Sequence, residues 1–325
     1  MMQAKKIKNG YFSCIYILLC ALSCTIIFSC KQEVTGSASI PAKRIAFVKK
    51  DPNGNHIYLM DVTDSGTGTN VARLTKDADP ENYPSCSPDG KKIIYQRDYN
   101  GAAIYVINTD GSNEQRLSPV PGFDVNPSWS PDGSKIIYTR VLGLIVQGQV
   151  PETEIHIMNA DGSGDKTILP QSEFSVEPRW SAANQIVFMS RMNGGQDIYT
   201  MNIDGTNIKQ LTNGADNGDP QWSPDGSKIS FGSDREGNGK LNIFVMNADG
   251  SNLQQLTHFV VPVESGDTHW SPDGKKITFE YDINGNLQSN PDAYAEVWTM
   301  NADGSNQQTT KQPCSCVGCA PRWLH

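Results

Sequence analysis

The residues best suited to chemistry recur at one place in a repeated pattern. Tyr83, Asn126, Glu177, Asp219, Asp267 and Ala320 each stand just before or at the start of an equivalent short segment. Four of the six are polar or acidic. Clustered carboxylates attract hard cations and positive side chains, so a fold that gathers these positions would make a cation or basic-ligand site. The plainer reading is a set of solvated residues at strand starts. His258 and His269 flank a stretch holding Glu264 and Asp267, which would suit a metal-assisted lyase or hydrolase if the four converge. No Gly-x-Ser-x-Gly elbow occurs. His156 reads as packing within a strand, while His56 and His325 carry no motif. No catalytic residue and no metal-ligand set is assigned.

The cysteines Cys314, Cys316 and Cys319 form a second cluster. In an oxidising compartment a disulfide such as Cys314–Cys319 is expected ahead of unpaired thiols or a metal site. Three cysteines without an obvious fourth ligand make a poor zinc set. Cys86 occupies the place of a tryptophan in other repeats and reads as core. Asn247-Ala248-Asp249-Gly250-Ser251-Asn252 superficially looks like a calcium loop but lacks the closing glutamate, and its recurrence fits a turn. The expectation is no cofactor, with calcium or another divalent cation as the secondary reading.

The elements that must position these residues are set by the repeat itself. Ser-Pro-Asp-Gly occurs at 87–90, 130–133, 223–226 and 271–274, with a degenerate Ser181-Ala182-Ala183-Asn184 between, at spacings of 42 to 51 residues. Each copy leads into a run such as Lys92-Ile93-Ile94-Tyr95, whose β-branched and aromatic residues suit a strand. A variable segment follows, then a second apolar run ending in Asp-Gly at 110–111, 161–162, 204–205, 249–250 and 303–304. Asp-Gly is a strong hairpin signal because glycine takes the positive φ that a tight turn demands. Return strands end in Leu-Thr at 74–75, 211–212 and 256–257.

One unit is therefore four strands, the size of a propeller blade. Five full units begin near Pro84, Pro127, Pro178, Pro220 and Thr268, and a partial one starts at Arg44 without its first strand. Pro321-Arg322-Trp323 repeats the opening of the unit at Pro178-Arg179-Trp180 and can supply that strand. The expectation is an all-β, six-bladed β-propeller of four-stranded antiparallel blades over residues 43–325, closed by the C-terminal strand joining the first blade. The stereotyped turns share one face. The irregular segments crowd the other, where loops on a rigid scaffold carry recognition. Two of them, Arg140–Thr153 and Tyr281–Tyr294, are long enough for a binding role or a tolerated insertion. Arg97, Arg140, Arg191 and Arg235 recur near the exits of second strands and read as solvated flanks.

Pro127-Ser128-Trp129-Ser130-Pro131-Asp132-Gly133 and the Met-Asn-Ala-Asp-Gly-Ser-Asn of 246–252 resemble the propeller repeat of the TolB family, over essentially all of residues 43–325. The resemblance implies a periplasmic interaction platform that binds a peptidoglycan-associated lipoprotein and serves envelope integrity. TolB also carries an N-terminal α/β domain, which this sequence does not match, so binding is carried over and the partner is not. The α/β region that prolyl oligopeptidases append to a propeller has no counterpart either. A propeller enzyme with a metal in the axial channel, acting on an oligosaccharide as some propeller lyases do, is the alternative.

Lys5, Lys6 and Lys8 precede an apolar stretch from Tyr11 to Phe28, the pattern of an export signal. Ile27-Phe28-Ser29-Cys30 resembles the lipobox of bacterial lipoproteins, which places cleavage after residue 29 and the lipid on Cys30, with a single membrane span as the rival. Residues 30–42 read as a flexible tether. Lys31 resembles the outer-membrane sorting pattern, so the chain is expected in the cell envelope, facing periplasm or surface. Removing three lysines and no acids takes the net charge from −8 to −11. So acidic a body disfavours nucleic acid and anionic lipid surfaces. The expected partner is an envelope protein or glycan, met by a monomer whose membrane contact is the lipid alone.

Overall fold

The computed structural model describes residues 43–324, except 64–65, 99–100, 120–121, 144–149, 238–240, 260–266, 282–294 and 315–320. The first strand set is β1 (Lys43–Asp51), β2 (Gly54–Val62) and β3 (Gly68–Arg73). The second is β4 (Glu81–Cys86), β5 (Lys92–Asp98), β6 (Ala102–Asn108) and β7 (Gln115–Arg116). The third is β8 (Phe123–Trp129), β9 (Lys135–Leu142), β10 (Glu152–Asn159) and β11 (Lys166–Glu173). The fourth is β12 (Val176–Trp180), β13 (Gln185–Ser190), β14 (Asp197–Asn202) and β15 (Lys209–Gln210). The fifth is β16 (Asn217–Trp222), β17 (Lys228–Ser233), β18 (Asn242–Asn247) and β19 (Gln254–Gln255). The sixth is β20 (Thr268–Trp270), β21 (Lys276–Tyr281), β22 (Ala295–Asn301) and β23 (Gln308–Cys314), followed by β24 (Arg322–Trp323).

Strands pair antiparallel in chain order within each set, which makes the chain an all-β propeller of four-stranded sheets. β24 joins the first set beside β1, with Ile45 opposite Trp323 and Ala46 opposite Arg322. The innermost strands β4, β8, β12, β16, β20 and β24 each lie beside the next, and β24 meets both β20 and β4. The structure differs from six separate blades in one respect. Among the described residues there are four sheets of four strands and one of eight, because Ala102 of β6 and Phe123 of β8 form a parallel bridge. Its cause is local: β8 starts at Phe123, one residue earlier than β4 does when Pro84 and Pro127 are matched, and that extra residue reaches β6.

The core lies between sheets. Ile45 and Phe47 pack with Val297 and Trp323 on one side, while Ala46 and Val48 pack with Ile93 and Tyr95 on the other. Strands covered on both faces need continuous apolar runs rather than alternation, which is what Ile93-Ile94-Tyr95 and its counterparts provide. Thr75, Ser118, Thr212 and Thr257 close the first, second, fourth and fifth sets. Their hydroxyls accept the backbone N–H of Ile57, Ile104, Ile198 and Ile243 at 3.2, 2.9, 2.9 and 2.8 Å. All four are buried, so each hydroxyl satisfies a donor that the short fourth strand would leave unpaired.

Candidate functional site

The stereotyped turns are fully occupied by their own bonds. Ser87 Oγ donates to Asp89 Oδ1 at 2.7 Å and accepts the Lys92 N–H at 2.9 Å. Ser130 with Asp132, Ser223 with Asp225 and Ser271 with Asp273 repeat the hydroxyl–carboxylate bond. In the Asp-Gly turns, Asp110 Oδ1 accepts both the N–H and the hydroxyl of Ser112, at 2.9 and 2.6 Å. Those bonds hold its carboxyl below the usual range, and Asp161, Asp204, Asp249 and Asp303 are held down in the same way. Gly162 shows why the second turn residue is glycine. Its φ is +87°, and a Cβ there would lie 2.7 Å from the Leu117 carbonyl oxygen of the preceding strand set. These motifs are structural turns.

At the other end the sequence placed arginines that it read as solvated, and the structure corrects this for two of them. Arg97 is buried, with Nη2 donating to Glu81 Oε1 at 3.0 Å and Glu114 Oε1 at 2.7 Å. Arg140 forks Asp124 through Nε at 2.7 Å and Nη2 at 3.1 Å, and its Nη1 reaches Asp165 at 3.1 Å. Glu81 and Asp124 are both fully buried at the starts of β4 and β8, so a guanidinium must accompany each. His156 sits in the second network, 3.0 Å from Asp165 Oδ1 and 2.9 Å from Glu154 Oε2.

Near the axis the structure brings Tyr83, Glu177, Asp219 and Asp267 within mutual electrostatic reach, and Asn126 joins them through Arg179. The backbone explains how. Tyr83, Asn126, Glu177 and Asp219 all have φ between 52° and 56°, each immediately before a proline. The ladder shifts register across each of these residues, in β4, β8, β12 and β16. Bulges re-aim side chains, and left-handed backbone at non-glycine residues is strain of the kind found at functional sites. Glu177 Oε2 accepts the Asp219 N–H at 2.9 Å. Ala320 and Glu264 lie outside the described residues, as do the tips of both long segments.

Sequence reasoning missed Arg179, Arg322 and Glu280. Arg179 and Arg322 are 5% and 3% exposed, so two guanidiniums are buried among the acids. Arg179 Nη1 donates to the Pro178 and Asn126 carbonyls at 3.1 and 3.4 Å. Arg322 Nη2 lies 3.8 Å from Asp267 Oδ1, and its Nη1 donates to the Thr268 carbonyl at 3.4 Å. A signal existed: both arginines fill the middle place of Pro-x-Trp. Burial and then the nearby Arg322 push Arg179 down to about 10. Burial, then Asp219, pushes Asp267 up to about 7. Glu177 is raised by burial and then by Asp267, and Tyr83 is raised by burial and the surrounding carboxylates. Among the described residues no three His, Cys, Asp or Glu side chains are grouped to hold a metal ion. His269 is turned toward the closing strand, its Nδ1 accepting the Trp323 N–H at 3.3 Å.

Cys86 fills a tryptophan's place, as read from the sequence. Trp129 and Trp222 donate their indole N–H to the Ser85 and Arg179 carbonyls, both at 3.1 Å. Cys86 Sγ points to the equivalent carbonyl, that of Arg322, at 3.9 Å. It is the one unbonded cysteine among the described residues. Cys314 is disulfide-bonded, and Cys316 and Cys319 lie outside the described residues.

A ring of inner strands, each beside the next, with polar side chains near its axis defines a β-propeller. The model of the TolB beta propeller domain matches residues 26–142 and 139–313, and the chain belongs to that family. It is 39% identical over 70 residues to a protein TolB homolog of Chlorobium luteolum, a stretch covering 21% of this chain and 16% of that one. It is 30% identical over 95 residues to the Tol-Pal system protein TolB of Legionella pneumophila, covering 29% and 22%. Among solved structures, TolB from Acinetobacter baumannii superposes with a TM-score of 0.69 at 22% identity, over 87% of this chain and 66% of that one. An oligogalacturonate lyase in complex with manganese gives 0.57 at 16% identity, over 82% and 73%. At these identities the structural likeness is one of fold.

Proposed function

We propose that this chain is a lipid-anchored envelope β-propeller that acts as a non-catalytic binding platform for a protein or glycan partner. The observation that carries the reading is the convergence of Tyr83, Asn126, Glu177, Asp219 and Asp267 near the axis, the first four on left-handed backbone. Membership of the TolB family supports a protein partner, since one relative bears the name of a Tol-Pal system component. Removal of residues 1–29 would leave Cys30 as the lipid anchor and 30–42 as the tether, in the outer membrane facing periplasm or surface. The propeller then counts as six blades closed by β24, with the eight-stranded sheet taken as two, and works as a monomer. A disulfide between Cys314 and Cys319 would pin the segment before β24.

The test is affinity capture from detergent-solubilised envelope, with the full chain and a variant changed at Asn126, Glu177, Asp219 and Asp267. A protein or glycan retained by the unchanged chain alone is expected. Equal retention by both removes the channel mouth from the reading, and co-purification of a metal with turnover of an oligosaccharide replaces the platform with an enzyme. Metabolic labelling with a fatty acid, lost in Cys30→Ser, checks the anchor.

A further inference from the structure

The axial mouth holds polar atoms that the fold leaves without partners. Asp267 is 2% exposed, yet its Oδ1 has no hydrogen bond, the Arg322 guanidinium standing off at 3.8 Å. Gln221 is 5% exposed, and its Nε2 also lacks a partner. Gln221 occupies on β16 the place that Arg179 has on β12 and Arg322 on β24, so its amide issues from the same level of the inner ring. Buried acceptors and donors left open are costly, and the four left-handed residues that shape the mouth add to that cost. An unpaired acceptor and an unpaired donor at neighbouring inner strands suit an occupant that brings both a cation and a carbonyl.

The charge around Asp267 selects among occupants. Asp219, Glu177 and Tyr83 face it with Arg179 and Arg322, and Glu280 lies within reach of Tyr83. Carboxylates outnumber guanidiniums, so the mouth favours positive charge. A hard divalent ion asks for six or more converging oxygens, whereas the described carboxylates interleave with two arginines and form no such group. A planar or tetrahedral organic cation needs directed acceptors and tolerates guanidinium neighbours.

We propose that the axial mouth receives an arginine or lysine side chain from a protein partner, its N–H groups donating to the carboxylates of Asp267 and Glu177 while Gln221 donates to a carbonyl of the inserted segment. This rests on the binding-platform reading and gives the partner a basic anchor. Burial and then Asp219 push Asp267 up to about 7, so near neutrality it carries a proton in part, which the incoming cation expels to solvent. Binding therefore strengthens as pH rises through neutrality.

The experiment titrates the full chain in detergent solution with acetyl-Gly-Arg-Gly-amide and its citrulline counterpart, isosteric and uncharged, by calorimetry in buffers of different ionisation enthalpy. The arginine peptide is expected to bind at least tenfold more tightly than the citrulline peptide, with net proton release and with affinity at pH 8 above that at pH 6. Asp267→Asn is expected to abolish the preference. The wild-type comparison of the two peptides needs no variant to fold. Equal binding of the two peptides, binding of neither, or stoichiometric manganese or calcium binding that excludes the arginine peptide overturns the proposal. If envelope capture still depends on the mouth residues in those cases, the platform reading stands and the basic anchor alone fails.

Discussion

Replacing Asp267 with asparagine should make the protein more stable at pH 8, not less. The native state holds this carboxyl at about 7 through burial and the adjacent Asp219, against an ordinary value of 3.8. A group whose native pKa is raised binds its proton more tightly when folded. Its stabilising effect is complete below the unfolded pKa and is lost as pH climbs from about 4 to about 7. A shift of that size corresponds to about 4 kcal/mol between the two ends of the window. Asparagine removes the penalty, but also the 3.8 Å ion pair with Arg322 and the bond shared with Asp219. Those losses cut the expected gain to roughly 1–3 kcal/mol at pH 8. At pH 4 the two proteins should differ little or favour the wild type. Urea unfolding followed by tryptophan fluorescence at pH 4, 6 and 8 reads this directly, since Trp129, Trp222, Trp270 and Trp323 are all buried. Other acids titrate in the same range, so the quantity that matters is the difference between variant and wild type. A difference that stays flat with pH, or a variant less stable at pH 8 than at pH 4 relative to wild type, would falsify the reasoning.

Thr212→Val removes the hydroxyl that accepts the Ile198 N–H and donates to Asp197, both at 2.9 Å, and should cost about 1–3 kcal/mol in the same urea assay. A neutral result would mean that water or a shifted strand satisfies the amide. Trp323→Ala empties a site that is 1% exposed between the first and sixth strand sets, and should cost about 3–5 kcal/mol. Rapid proteolysis near the C-terminus should accompany that loss, and wild-type resistance in the variant would argue against a closing role for β24. Cys86 is buried, with its thiol pushed up to about 12, so alkylation mapped by mass spectrometry should miss it in native buffer at pH 8 and reach it in urea.

The fold was readable because the signals it depends on are short-range and repeated. Ser-Pro-Asp-Gly, Asn-x-Asp-Gly and Leu-Thr each encode one bond pattern that recurs around the ring, so tandem copies corrected for degenerate ones such as Ser181-Ala182-Ala183-Asn184. The joined eight-stranded sheet was not readable, since it turns on a single extra residue, Phe123, at the start of β8. The starts of the inner strands could be located because position within a repeat maps to radius in a propeller. Their electrostatics could not. Whether Arg97 and Arg140 point to water or to Glu81 and Asp124 depends on side-chain direction across two strands, and periodicity says nothing about it. Glu280 was hidden because it alternates with Thr278 and Lys276 along β21 and so looks like one of a solvated polar face.

The fitting of each Asp-Gly turn against its neighbour has a consequence for how such rings change over time. Gly111, Gly162, Gly250 and Gly304 face the carbonyl oxygens of Leu74, Leu117, Leu211 and Leu256, one strand set back. These sets thus overlap the preceding one like roof tiles, and at Gly162 and Gly304, where a Cβ would lie 2.7 and 2.8 Å from the carbonyl oxygen, the overlap leaves no room for a side chain, let alone an inserted residue. Length variation is steered to the opposite rim, where the irregular segments lie. A lineage can therefore rewrite what the ring recognises while its angular spacing stays fixed, which separates the inheritance of shape from the inheritance of specificity.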